Sequence, residues 1–318
     1  GSGITTFPRT AFHNSGTVSV QRGTLSLQSG GDSSGIFETV SNATLAFAGG
    51  THTVGAGGII SGTGRVLVGG GLNFQGSRVE AGTLDVLNTG NGTFAAPMDV
   101  SGAVSVSGTG VFHQALDAGS LTSGVGGTAT FHGMVTAPGN GSLSGTATFN
   151  QQVTLGVMSW TGNGTFNGPA TVSGVNMSGG TLGGTSVVVV TNLVWTGGTM
   201  SGAGTTVVAE GGALRISAPL YGSVQLNQRV LHNAGSAVWS NSGAIYGNSG
   251  AVITNSGAWE VQNDALMDWY GSGARPMFQN GGLFAKSGGS GTTTFSRTAF
   301  HNSGTVLVQR GALSLGDG

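Results

Sequence analysis

The chain has 318 residues, of which 64 are glycine and only 7% are charged, against roughly a quarter charged in an average globular domain. Ten Lys and Arg against eleven Asp and Glu leave a net charge of −1, so the chain has neither a basic field for nucleic acid nor an acidic tail for a basic partner. Six prolines exclude a collagen-like or proline-rich chain, and the lack of cysteine excludes disulfides and thiolate metal sites.

From the N-terminus, Gly1-Ser2-Gly3 carries neither the charged nor the apolar region of a signal peptide, so an export signal is expected outside this chain. Residues 17–20 and 23–27 alternate as strands, with Val18 and Val20, then Leu25 and Leu27, on the buried face. Farther on, Phe74, Phe94, Phe112, Phe131, Phe149 and Phe166 follow at steps of 20, 18, 19, 18 and 17 residues. Residues 127–131 and 145–149 share the sequence Gly-Thr-Ala-Thr-Phe. A step of this size is one coil of a parallel β-solenoid. Stacking coils about 4.8 Å apart puts each Phe over the one before as a structural ladder.

Between Asp117 and Glu210 lie 92 consecutive uncharged residues. They read as a solvated Ser/Thr surface, with lateral packing against another chain as the sharper alternative. Thr128/Thr130 and Thr146/Thr148 raise ice binding through a Thr-x-Thr array, which looks short because Asn163 takes the next slot beside Thr165. The most apolar stretch, 187–195, is broken by Thr191 and Asn192 and falls far short of the roughly 18 residues a bilayer span needs.

The C-terminal third repeats an apolar-x-Asn-x-Gly motif whose corner residues are Asn233, Asn255, Asn280 and Asn302, at steps of 22, 25 and 22, with an earlier copy at Asn14. Asn and Gly suit sharp bends because both tolerate a left-handed backbone. His13, His232 and His301 fill one slot of this motif, which marks a corner residue rather than a catalytic one. Chemistry is sparse. Trp259, Glu260, Asp264, Asp268, Trp269 and Arg275 form the only acidic cluster and the best candidate carbohydrate site. Glycine runs such as 178–184 lack the following Lys and helix of a phosphate loop. No catalytic, cofactor-binding or metal residues are assigned, and the chain reads as a non-enzyme.

Residues 1–30 realign without a gap on 289–318 at an offset of 288, with 24 of 30 positions identical. Gly1-Ser2 recurs as Gly289-Ser290, so that pair reads as native. The expectation is one continuous solenoid over 1–318, all-β, with coils of roughly 17–25 residues. It comprises a 288-residue super-repeat and the opening of the next, taken from a longer tandem protein. Roughly 15 coils at one strand spacing each give about 70 Å. A sandwich or barrel would need antiparallel hairpins instead.

With SGGTLGG at 178–184, VWTGGTMSG at 194–202 and FHNSGTV at 12–18 and 300–306, the chain resembles the repeat regions of giant bacterial surface proteins. These are of the filamentous-haemagglutinin-like and autotransporter-passenger type. The resemblance implies a right-handed parallel β-helix, an extracellular or cell-surface location, and a structural role as adhesin, stalk or filament. Its partner would be itself, in tandem or in neighbouring chains of a fibre. The alternative is a carbohydrate-binding or carbohydrate-cleaving β-helix with surface glycans as partner.

Overall fold

The computed structural model describes residues 3–316. Gly1, Ser2, Asp317 and Gly318, which belong to the two copies of the repeated segment, lie outside the described residues. Among the described residues every regular element is a β-strand and the strands pair in parallel. The chain is a parallel β-solenoid of about 16 turns. It divides into two compact units, Gly1–Gly156 and Val157–Gly318.

In the first unit a coil is built of three short strands with Gly-rich corners, of which two run together as one longer strand in Met98–Val106 and Leu116–Ser123. Arg65–Val68 is followed by Gly71–Phe74 and Arg78–Ala81, and Thr83–Val86 then returns onto Arg65–Val68. Side chains alternate, so Val66, Val68, Leu72, Phe74, Val79, Leu84 and Val86 all point into a dry interior. Phe74, Phe94, Phe112, Phe131 and Phe149 occupy one register position on successive strands. The rings of Phe94, Phe112, Phe131 and Phe149 stack nearly parallel, with centroids 5.2, 4.8 and 5.0 Å apart. These rings dictate their neighbours: a Cβ on Gly92 would lie 2.8 Å from the Phe94 ring, and one on Gly110 2.9 Å from Phe112.

In the second unit Phe166 is buried in the strand Asn163–Phe166 and packs on Trp160. Here the Asn motif becomes a continuous side-chain ladder. Asn233, Asn255, Asn280 and Asn302 share one register position, and each amide Nδ2 donates to the next Oδ1 at 2.7–2.8 Å. The same nitrogens also donate to the carbonyl two residues on. None of these Asn has a positive φ, so the expected left-handed corner is corrected: Asn is there for its amide. The motif glycines are not left-handed either. A Cβ on Gly257, Gly282 or Gly304 would fall 2.0–2.2 Å from the glycine carbonyl oxygen of the preceding coil. Close coil stacking, rather than a special backbone angle, excludes every other residue there.

The repeated segment keeps one register in both units. Ile4 pairs with Thr24 and Phe7 with Leu27 in the first; Thr292 pairs with Ala312 and Phe295 with Leu315 in the second. Its place among the ladders differs. Asn14 bridges Ser33 on the ladder that continues into the Phe strands, whereas Asn302 lies on a ladder separate from that of Asn163–Phe166. The segment's fit is therefore carried by its own coil-to-coil register.

Candidate functional site

The residues 259–275 separate on folding. Trp259 points inward at 1% exposure and packs edge-on against Phe278, with centroids 5.1 Å apart, so it offers no platform to a sugar. Glu260, one residue on, faces outward and accepts from Ser287 Oγ at 2.5 Å. That bond, with a second from Gln262, holds its carboxyl below the usual range. Asp264 accepts from the Gly291 N–H at 2.9 Å and from Lys286 Nζ at 3.0 Å, which lower its pKa in the same way.

Asp268 lies on a different ladder from Glu260. Burial works to raise its carboxyl, but a bidentate pair with Arg297 at 2.9 and 2.6 Å and the Trp269 N–H outweigh burial and lower it. Trp269 is half-buried, donates from Nε1 to the Ser272 carbonyl and carries Arg297 5.7 Å above its ring. Arg275 lies in the exposed loop beyond. The three carboxylates thus stand at separate places on the coil, each tied into a local bond network. They do not face one another across a cleft, as an acid and base pair must.

Two other carboxylates do come together. Asp99 and Asp117 are register partners on Met98–Val106 and Leu116–Ser123, about one strand spacing apart. They line a groove of about 460 Å3 in the first unit with Met134, Thr136, Gln152 and Pro97. Among the described residues neither aspartate has a hydrogen-bond or ion-pair partner, and nearby Arg78 is engaged by Glu80. Like charges directly opposite on neighbouring strands repel, so the pair is poised for a donor-rich or cationic ligand. Their offset of 18 equals that of Phe94 to Phe112, so the sequence itself carries the coil-length signal that pairs them.

Other polar clusters are structural. Arg229 is fully buried and donates to the carbonyls of Gly184, Ser186, Ser201 and Thr205 and to Thr206 Oγ1. Burial pushes its guanidinium down to about 10. Lys286 is also buried and donates to the carbonyls of Asn263 and Gly288 as well as to Asp264. His13 and His232 make corner hydrogen bonds to Asp32 backbone and Thr254. His113 and His132 stack 5.1 Å apart, with Asn150 on the second ring. Among the described residues no three His, Asp or Glu gather to hold a metal, and no helix is long and apolar enough to cross a membrane.

No family model, curated protein or solved structure matches this chain.

Proposed function

We propose that the chain is a non-enzymatic structural repeat module, a solenoid segment of a giant extracellular filament or cell-surface adhesin of the filamentous-haemagglutinin-like type. Its role is length, stiffness and lateral or end-to-end contact with further copies of itself. The observation that carries this reading is the recurrence of one thirty-residue segment in one pairing register, Ile4 on Thr24 and Thr292 on Ala312. A catalytic constellation occurs once in a chain, whereas a recurring coil is building material. The local bonding of Glu260, Asp264 and Asp268 supports it further. Electron microscopy of the native assembly tests it: fibres with an axial repeat near 70 Å, one coil per strand spacing over 288 residues, support the reading. Discrete short particles overturn it.

One observation favours the carbohydrate alternative. The unpaired Asp99 and Asp117 in a groove with Thr136 and Gln152 offer acceptors and donors suited to a sugar's hydroxyls. Binding to a polysaccharide panel that disappears in Asp99→Asn/Asp117→Asn supports it; no binding, or binding the double variant keeps, removes it.

A further inference from the structure

The ladder over the Phe stack presents an outer surface unlike any other in the first unit. Two rows of side chains run across six successive strands. One row is Thr51, Gly71, Asn91, Thr109, Thr128 and Thr146; the other is Thr53, Asn73, Thr93, Val111, Thr130 and Thr148. Eight of the twelve positions are Thr, and Val111 keeps the branched outline of a ninth. The face therefore extends well beyond the two Thr-x-Thr coils visible as a repeat at 18. It carries no charge and no aromatic ring.

Three properties define what such a face can bind. First, it is a lattice: hydroxyls and methyls recur about every 4.8 Å across strands and about 6.7 Å along them, two residues apart. Second, among the described residues none of the eight Thr hydroxyls hydrogen-bonds to another group of the chain, so all are open to an outside partner. Third, it is held rigid from behind, where Phe94, Phe112, Phe131 and Phe149 stack and Gly92, Gly110, Ala129 and Ala147 leave room for the rings.

A second copy of the chain is a poor occupant. Five strand spacings by four residues give only about 300 Å2, well under the roughly 800 Å2 per partner of a stable protein interface. A polysaccharide needs aromatic or charged side chains for stacking and orientation, and the face has neither. What remains is an uncharged partner that repeats in two dimensions and is built of hydrogen-bond donors and acceptors. The geometry points to ice: Thr hydroxyls anchor water, and the methyls between them order it, into an array continuous with the crystal surface.

The test is thermal hysteresis and ice-recrystallisation inhibition of the full chain and of Thr130→Tyr, which raises a bulky ring in the Thr-rich end of the face, between Val111 and Thr148. Tyr suits a strand, and circular dichroism melts check that the variant is folded; Thr148→Lys serves if it is not. The expected result is a freezing-point gap and small ice grains for the parent chain, both largely lost in the folded variant. A parent indistinguishable from buffer, or a variant equal to the parent, overturns the proposal. So does a parent dimer that Thr130→Tyr converts to monomer, which would make the face an interface between copies.

Discussion

Asn255 donates to Asn280 Oδ1 at 2.8 Å while its own Oδ1 accepts from Asn233 at 2.8 Å. Its Nδ2 also reaches the carbonyls of Gly257 and Leu283, so one amide ties its own coil to the coils on both sides. Asn255→Leu keeps the volume but strips Asn280 of its donor and leaves two backbone carbonyls short of one. At about 1–3 kcal/mol for each buried group left unmatched, unfolding in urea is expected to show a loss of about 2–4 kcal/mol. A change below 1 kcal/mol would mean that water replaces the amide and that the ladder is incidental.

Glycine is required in this fold for two distinct reasons, and a pair of alanine substitutions separates them. At Gly257 a Cβ would sit 2.0 Å from the Gly235 carbonyl oxygen, with an ordinary φ. Gly257→Ala must push coils apart, combining overpacking of about 1–3 kcal/mol with weakened ladder bonds. At Gly126 φ is +78° with nothing within 4 Å, so Gly126→Ala meets only the left-handed penalty of about 1–2 kcal/mol. Gly257→Ala is expected to be the more destabilising in denaturant titration. Equal losses would refute close stacking as the cause.

These cases show which parts of the fold were legible in the sequence. The solenoid was, because coil length is written in side chains that must stack, as in the Phe94 to Phe149 series. The inward turn of Trp259 follows from alternation with Glu260. The reason for Asn at the corners was not legible: left-handed tolerance and amide laddering select the same residue type, and φ leaves no trace in a single sequence. Asp99 and Asp117 carried their coil offset openly but were two acids among eleven. Arg229 and Lys286 were hidden for a physical reason, since charges normally lie in water and the ring of carbonyls that takes them inside has no residue signature.

Arg229 is fully buried, as Lys286 is. Its five donors satisfy four carbonyls and one hydroxyl across neighbouring coils, without any carboxylate. Arg229→Met fills similar space and takes a donor from each of those buried groups, although the Gly184 and Ser186 carbonyls keep the Gly204 and Thr205 N–H; the expected loss is about 3 kcal/mol. Arg229→Lys keeps the charge but lacks the planar fork, and should recover only part of the loss. Full recovery by Lys would show that charge rather than geometry holds the site.

Acid should weaken the two units in separate windows. His52 is 3% exposed, packs on Phe47 and accepts from the Gly30 N–H at 3.2 Å. Burial lowers its pKa below the ordinary 6.5, and hydrogen bonds to the Leu27 and Gly49 backbone only partly oppose this. Between the folded and unfolded values the unfolded chain binds more protons, so stability falls as pH drops from 6.5 through the folded value and levels off beneath it. Glu260, Asp264 and Asp268 are lowered too, so their contribution is present above the ordinary carboxylate range near 4 and fades as pH falls through their folded values. With the intrinsic pH dependence of amide hydrogen exchange divided out, protection in Thr51–Val54 should therefore fall between pH 7 and 5, while protection in Leu266–Trp269 holds until about pH 4. His52→Leu should abolish the first change and leave the second. If protection at Thr51–Val54 keeps its pH response in His52→Leu, a group other than this imidazole governs the first unit.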